Sequence, residues 1–488
     1  MLKSKVIDIF RSFSPDELKR FRDFLRSPYH NTNKNVIRLF DIMRKHAPDY
    51  ANENLDKAKM YCMLFPGKLY NDIVMRILIS DLMQLGQDFL VEMNLERDAV
   101  DRKKHLLNEL LDRKIDKLFL KTYNEADAMM ESYSIDDTYF KHRFDIEELH
   151  KGFNVARNMQ HLNSSNLVSM GENILNYFLI KLSSVAHDIS VNKENFNTDF
   201  SSSIFERLPE FLNIEKINSS IKQNGIRNAE ILELYFCALM INYECRSDDY
   251  YFRLKELFYK NIDKFTHETK YNLYMSLLNY CGNKHWNDKD NVYRREQFQL
   301  FKDMLSNELF SWTPDDYMTI IIFRSIISIS TMLKEYDWME QFINNYIEKL
   351  APEQRENMNN FSRAKLYFVE KNYTLALDCI TKVNYDLFTF KYDVKTLMMQ
   401  IYYELNYIEE AYNLMDTYKR FLVNNKNVSR SFREWNVNFI KFYNKLLNIK
   451  SGKNNIDILG LEKEIENTPN SASQNWLMDK VNELISKK

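Results

Sequence analysis

The scarcity of glycine and proline constrains the fold of this chain more than any other feature of its sequence. Only 8 glycines and 8 prolines occur among 488 residues, whereas the two together make up roughly 12% of an average protein. Glycine supplies the positive φ of tight hairpin turns and of phosphate-binding loops. A chain so poor in glycine cannot form many β-turns or a glycine-rich nucleotide site, and the sequence therefore predicts an all-α protein.

The charge balance argues against a polyanionic partner. The chain has 67 Lys and Arg against 69 Asp and Glu, so it has no net positive field that would attract nucleic acid or an anionic membrane. Apolar residues make up 45% and charged residues 28%, which is typical of an ordered globular protein. The composition therefore gives no support for a nucleic acid or an anionic membrane as partner.

The cysteine pattern and the hydropathy of the chain indicate its cellular location. The five cysteines are scattered without a Cys-x-x-Cys pair, as expected of small core residues in a reducing compartment. The first residues contain no continuous apolar run of the signal-peptide kind. The most apolar stretch, 320–329, is interrupted by Arg324 and is shorter than the roughly 18 residues that a membrane span requires. We expect a cytoplasmic protein without a membrane span.

Helix start and stop signals recur along the chain. Ser14-Pro15-Asp16-Glu17 has the form of a capping box with proline at the first helical position. The helix should end near Arg26, because Pro28 pushes Ser27 out of the helical region. Three more helices are predicted at 34–46, 55–65 and 70–94.

The last of these helices has a long apolar stripe, which we expect to be buried. Its members are Ile73, Val74, Ile77, Leu78, Leu82, Leu85, Phe89 and Leu90. Thr313-Pro314 predicts a later helix start. Polar breaks are predicted at 282–291, 351–360, 424–431 and 450–457, and the Asn- and Ser-rich segment 190–203 is the best internal boundary. These signals divide the chain into an N-terminal helical region (1–95), a middle region (96–200), a repeat region (201–445) and C-terminal capping helices (446–488).

A spacing of 35 residues recurs in the repeat region. The first copy contains Ala364, Tyr367, Tyr373, Ala376, Ile380 and Val383. The second contains Met399, Tyr402, Ile408, Ala411, Met415 and Tyr418. The small Ala lets the second helix of a pair approach the first closely.

This pattern resembles the tetratricopeptide repeat family over about 330–420. The family's turn glycine is replaced by Lys371 and Asn406, its proline is missing, and an earlier copy at 330–350 has Gln341 or Phe342 in place of the Ala. The resemblance implies a right-handed superhelical array of antiparallel helix pairs, an α-solenoid. The segment 24–31 also resembles part of uncharacterised bacterial proteins, so we expect a bacterial source.

The same resemblance implies a concave groove formed by the first helices of the pairs. Its side chains would be Phe361, Lys365, Phe368, Thr396, Gln400 and Tyr403. Such a groove binds an extended peptide or a helix of a partner protein. The alternative is that the chain's own N-terminal helices fill the groove.

A second interpretation is a bacterial regulator. Residues 55–82 resemble the second and third helices of a winged helix-turn-helix, and Asn71, Arg76 and Gln84 would then face base edges. Acidic residues on the same side of the helix would repel phosphates, however, and no β-wing pattern flanks it.

Metal and catalytic motifs are sparse. His142, Ile146 and His150 share a helix face, and Glu147-x-x-His150 has the spacing of a di-iron ligand pair. Because such sites need two of these motifs, we expect solvated histidines, no metal and no cofactor. No nucleophile elbow, phosphate-binding loop or zinc-protease motif occurs. We therefore expect a non-enzymatic scaffold, with an enzyme whose site is assembled from distant residues as the remaining alternative.

Overall fold

The computed structural model describes residues 5–51, 55–203, 205, 207–208, 228–243, 248–284, 291–384, 388–425, 429–452, 457–468 and 471–486. These residues form 22 α-helices. The first eight are α1 (Lys5–Arg11), α2 (Pro15–Arg26), α3 (Lys34–Met43), α4 (Lys57–Leu64), α5 (Asp72–Arg97), α6 (Ala99–Asp112), α7 (Asp116–Glu131) and α8 (Asp137–Ala156). The next six are α9 (Ser164–Asn195), α10 (Ala229–Tyr243), α11 (Asp248–Asn261), α12 (His267–Lys284), α13 (Val292–Ser306) and α14 (Ile320–Leu333). The last eight are α15 (Tyr336–Tyr346), α16 (Pro352–Val369), α17 (Tyr373–Thr381), α18 (Phe388–Glu404), α19 (Ile408–Asn424), α20 (Arg430–Lys450), α21 (Ile458–Glu466) and α22 (Gln474–Ile485).

The all-α prediction is confirmed. Within the described ranges there is no extended β-strand, and an isolated bridge pairs Met318 with Leu350. The described helices include none that combines the length and the apolar character needed to cross a membrane. The chain divides into two compact units, residues 1–132 with 145–163 and residues 133–144 with 164–488. The four sequence regions stay a prediction.

The first unit is built around an aromatic core. The capping box is present as predicted: the Glu17 amide donates to Ser14 Oγ, and Glu17 Oε2 accepts from the Ser14 amide at 2.7 Å. The cap fixes the start of α2, which places Phe21 against Phe10 and Phe40, with ring centroids 5.0 to 5.7 Å apart. Edge-to-face contacts at this distance are favourable in a buried core.

The buried stripe predicted for α5 is only partly correct. Leu78, Leu82 and Phe89 are buried, but Ile73 and Ile77 lie exposed, at 71% and 54%. Both lie in the first turns of α5, where they have the right helical spacing but are left uncovered by the described part of the chain.

The second unit has a fully enclosed helix near its start. Eleven consecutive residues of α10, Ile231 to Ile241, are buried, which is typical of a helix that is surrounded by others. Its buried acid, Glu233, accepts two hydrogen bonds from Arg253 at 3.0 and 2.7 Å. Hydrogen bonding and charge from Glu233 raise the pKa of Arg253.

Helices α14 to α19 pack as three consecutive pairs joined by short connections. A residue with a left-handed backbone follows each first helix by one or two positions: Lys334, Lys371 and Asn406, with φ of +61° to +63°. In each connection, the amide after this residue donates to a carbonyl five residues back, at 2.8 to 2.9 Å. This is the Schellman arrangement, in which glycine is the usual residue.

These turns fix the register of the earliest copy. Because Lys334 has the position of Lys371, Met339 corresponds to Ala376. Neither Gln341 nor Phe342 therefore takes the place of the Ala. Met339 is buried, as is Ala376, and its longer side chain explains why the repeat pattern fades in this copy.

Three local expectations are wrong. Thr313-Pro314 opens no helix, because α14 begins at Ile320 and its cap is Thr319, whose Oγ1 accepts from the Ile322 amide. The break predicted at 351–360 lies inside α16, where Pro352 starts the helix. The boundary at 190–203 begins too early, since α9 continues to Asn195.

The other breaks have mixed outcomes. The breaks at 424–431 and 450–457 agree with the ends of α19 at Asn424 and of α20 at Lys450. Residues 426–428 and 453–456 of these breaks lie outside the described residues. In the break at 282–291, α12 continues to Lys284, and 285–290 lie outside the described residues.

Candidate functional site

The six residues predicted to line a groove are largely enclosed by the protein itself. Phe361, Thr396, Gln400 and Tyr403 are buried, whereas Lys365 and Phe368 are half-buried. The predicted residues therefore lie on the first helices, α16 and α18, as expected. Most of them face neighbouring helices rather than solvent.

C-terminal helices cover Tyr403. The Trp476 ring on α22 meets the Tyr403 ring edge-on at 5.4 Å, and Lys450 Nζ lies 4.1 Å from its centroid. Burial raises the pKa of Tyr403 to about 12. This end of the expected groove is thus covered by α20 and α22.

Thr396 belongs to an internal polar network. Its Oγ1 lies 3.3 Å from Tyr418 Oη, which donates to Asn436 Oδ1 at 2.6 Å. A buried hydroxyl that has hydrogen-bond partners stabilises a core without being available to a ligand. Thr396 is therefore part of the packing between α18, α19 and α20.

Lys365 lies in a charged cluster on three first helices, α14, α16 and α18. Arg324 forms an ion pair with Asp393, and Arg324 Nη2 donates to Asp393 Oδ1 at 3.1 Å. Burial lowers the pKa of Lys365, while the charge of Asp393 raises it and that of Arg324 lowers it. Burial also lowers the pKa of Arg324, but the charge and hydrogen bonds of Asp393 outweigh it, and the net shift is upward.

Aromatic rings support the two cations. Lys365 Nζ lies 5.2 Å from the Phe361 centroid, and Arg324 Cζ lies 6.0 Å from that of Phe390. The two rings contact each other edge-on, with centroids 5.7 Å apart. Contacts of this kind stabilise cations by about 0.5 to 2 kcal/mol.

The Lys365 ammonium is the charged group of this cluster that forms no ion pair with the described residues. Among the described residues, its Nζ has no hydrogen-bond or ion-pair partner within bonding distance, because Asp393 is already paired with Arg324. Two cations and one carboxylate leave a net charge of +1. The cluster can therefore accept one additional anionic group, which would relieve the repulsion between Lys365 and Arg324.

Sequence reasoning found Lys365 but missed Arg324 and Asp393. In the sequence, Arg324 is distinguished only as a charge that interrupts the apolar stretch 320–329. That interruption was the available signal, because a charged residue in the apolar stripe of a helix requires a partner. The partner lies 69 residues away, and a single sequence gives no indication of that distance.

The polar residues predicted to face DNA bases make contacts within α5 and at its start. Asn71 Oδ1 accepts from the amides of Ile73 and Val74. Arg76 pairs with Asp72 at 2.6 Å, and Gln84 donates to Asp88 at 2.9 Å. These side chains cap the helix or pair with other residues on its surface, and nothing in their geometry favours the reading of DNA bases.

The histidines of α8 are not solvated as expected. His142 is buried, with its ring edge-on to Tyr133 at 5.5 Å. His150 stacks on Tyr123, with centroids 4.2 Å apart and planes at 18°. Burial lowers the pKa of His150, with a smaller opposing contribution from Asp127. These contacts account for His142 and His150 as packing residues.

Comparisons with known protein families, with characterised proteins and with solved structures give no significant match.

Proposed function

We propose that this protein is a non-enzymatic adaptor that binds a segment of another protein at the Arg324–Lys365–Asp393 cluster. The helix pairs that begin at α14 would stack as a superhelical array, and the first helices would form its binding surface. The observation that carries the proposal is the half-buried Lys365 ammonium, which forms no ion pair of its own with any described residue.

The expected ligand follows from the chemistry of the cluster. An acidic side chain of the partner would pair with Lys365, and an adjacent apolar side chain would contact the half-buried Phe368. Desolvated, charge-assisted hydrogen bonds are stronger than exposed ones, so one acidic residue would determine the register of a bound peptide. We infer binding of an acidic segment in extended or helical form.

Affinity purification from native lysate with the full-length chain as bait tests this function. We expect a stoichiometric protein partner that is lost or strongly reduced with Lys365→Gln. Lys382→Gln is the matched control, because Lys382 is exposed and already pairs with Asp378. Recovery of no stoichiometric partner, together with turnover of a substrate by the pure protein, would refute the adaptor function.

A further inference from the structure

A cleft separate from the Lys365 cluster lies between α19 and α20. Its volume is about 470 Å³, within the range of about 300 to 1,000 Å³ that is typical of small-molecule sites. Four aliphatic side chains line it: Leu422 and Val423 from α19, and Val437 and Ile440 from α20. Leu422 and Ile440 form a buried floor, whereas Val423 and Val437 remain 72% and 49% exposed.

The polar lining of the cleft is cationic. Lys419, Arg433 and Lys441 contribute to it, and the described residues that line it include no carboxylate. Nearby acids compensate two of these charges in part, since Lys441 pairs with Glu464 at 2.6 Å and Lys419 lies 3.5 Å from Asp416.

Arg433 is the least satisfied of the three cations. Its Nη2 donates to the Asn425 carbonyl at 2.8 Å, but its Nε is buried and has no hydrogen-bond partner in the described part of the chain. A buried N–H without a partner is costly. Because Arg433 lines the cleft, its guanidinium can pair with an anionic group held there.

We propose that this cleft binds a single-chain amphiphile with an anionic headgroup, such as a fatty acid. The aliphatic floor would take the hydrocarbon chain, and Arg433 and Lys419 would hold the headgroup. The size of the cleft favours this ligand over a partner protein. Seven residues line it, whereas a stable protein interface needs about 20 to 30 residues a side. The run from Arg433 to Lys441 is only about 12 Å of helix.

Titration of the full chain with dodecanoate, below its micellar concentration, tests the site. We expect saturable one-to-one binding that is at least tenfold tighter than that of dodecyltrimethylammonium, which has the same chain and the opposite charge. Shortening the chain should weaken binding by about fourfold for each CH₂ removed from the cleft. Dodecyl phosphate distinguishes a phosphate from a carboxylate preference, and tighter binding of either anion than of the cation supports the site.

Two substitutions at one position separate the effect of a charge in the cleft from the effect of a change in shape. Val437→Asp introduces a carboxylate into the cleft, and Val437→Asn has the same shape without the charge. We expect the Asp variant to bind dodecanoate at least tenfold more weakly than the Asn variant. The two variants should have the same unfolding temperature. A second pair compares Arg433→Gln, which should weaken binding, with Arg420→Gln on the exposed side of α19, which should not.

Three results would overturn the proposal. They are no saturable binding of either anion, equal affinity for anion and cation, and equal affinity of the Asp and Asn variants. Each of them leaves the adaptor function intact, because the Lys365 cluster contributes no residue to this cleft.

Discussion

Lys371 and Asn406 have the same left-handed backbone conformation 35 residues apart, with φ of +63° and +61°. Each follows the first helix of a pair, and each turn contains the same two backbone hydrogen bonds. Neither residue is the glycine that such a position favours. The 35-residue period of the sequence therefore corresponds to a repeated backbone turn as well as to repeated side chains.

Replacing Lys371 with glycine should stabilise the protein. A left-handed conformation costs an L-residue roughly 1 to 2 kcal/mol, and glycine escapes this cost but loses more backbone entropy on folding. We expect Lys371→Gly to raise the free energy of unfolding by about 1 kcal/mol, measured from the midpoint of urea denaturation. Asn406→Gly should raise the free energy of unfolding by less, because asparagine tolerates the left-handed backbone conformation better than lysine does.

Lys382→Gly is the control for this prediction. Lys382 also follows a helix, but its φ is −82°, so glycine relieves no strain there and should not stabilise. A loss of stability in Lys371→Gly would mean that the contacts of the Lys371 side chain stabilise the protein by more than its left-handed backbone destabilises it.

The turns show what local sequence could and could not predict. The capping box at Ser14 and Glu17 depends on neighbouring residues alone, and it was predicted correctly. The cap of α14 is Thr319, whereas the stronger signal at Thr313-Pro314 leads to no helix. Cap residues satisfy local hydrogen bonds, but whether a helix continues from them depends on tertiary packing.

In the two later pairs, the alanine of the second helix should tolerate no larger side chain. Ala411 is buried where α18 and α19 pack, as Ala376 is in the preceding pair. Extra methylenes at such a contact force the helices apart, so Ala411→Leu should lower the free energy of unfolding by about 1 to 3 kcal/mol. Thermal unfolding measures the change. Asn413→Leu, on the exposed side of α19, should cause little change, and equal melting temperatures for the two variants would contradict this packing.

The candidate site was less predictable than the fold. Periodicity places Phe361 and Lys365 on one helix face, but it does not show which face another helix covers. Tyr403 was expected in an open groove and lies under Trp476, which is 73 positions later in the chain. Ile73 was expected to be buried and is exposed. Both outcomes depend on contacts between distant segments, which a single sequence does not encode in any local pattern.

Arg324 and Lys365 should be energetically coupled through Asp393. In the native protein Lys365 gains little from Asp393, which Arg324 already neutralises. Lys365→Gln should therefore change stability little, because the lost contact with the Phe361 ring is offset by the removed repulsion from Arg324. In an Arg324→Gln background, Lys365 becomes the only cation of the cluster that can pair with Asp393, and the same substitution should cost about 1 to 2 kcal/mol.

A double-mutant cycle by urea denaturation measures this coupling. Arg324→Gln alone should destabilise less than the double variant, because Lys365 partly replaces the lost guanidinium. Additive effects of the two substitutions would show that Lys365 does not reach Asp393. Such additivity would also weaken the proposed binding role of the cluster.

His150 should make the first unit sensitive to acid. Because burial against Tyr123 lowers its pKa, the unfolded chain binds a proton at a higher pH than the native protein does. The stabilising contribution of the neutral His150 ring is therefore fully present above the ordinary histidine pKa of about 6.5. It is lost as the pH falls through the lower native pKa.

The variant His150→Phe retains a ring on Tyr123 and removes the titration. We expect this variant to lose less stability than the wild type between about pH 7.5 and pH 5, as measured by urea denaturation at each pH. The exposed His105, replaced by Asn, controls for the loss of a histidine as such. An unchanged pH dependence in His150→Phe would contradict the stacked, desolvated environment of this ring.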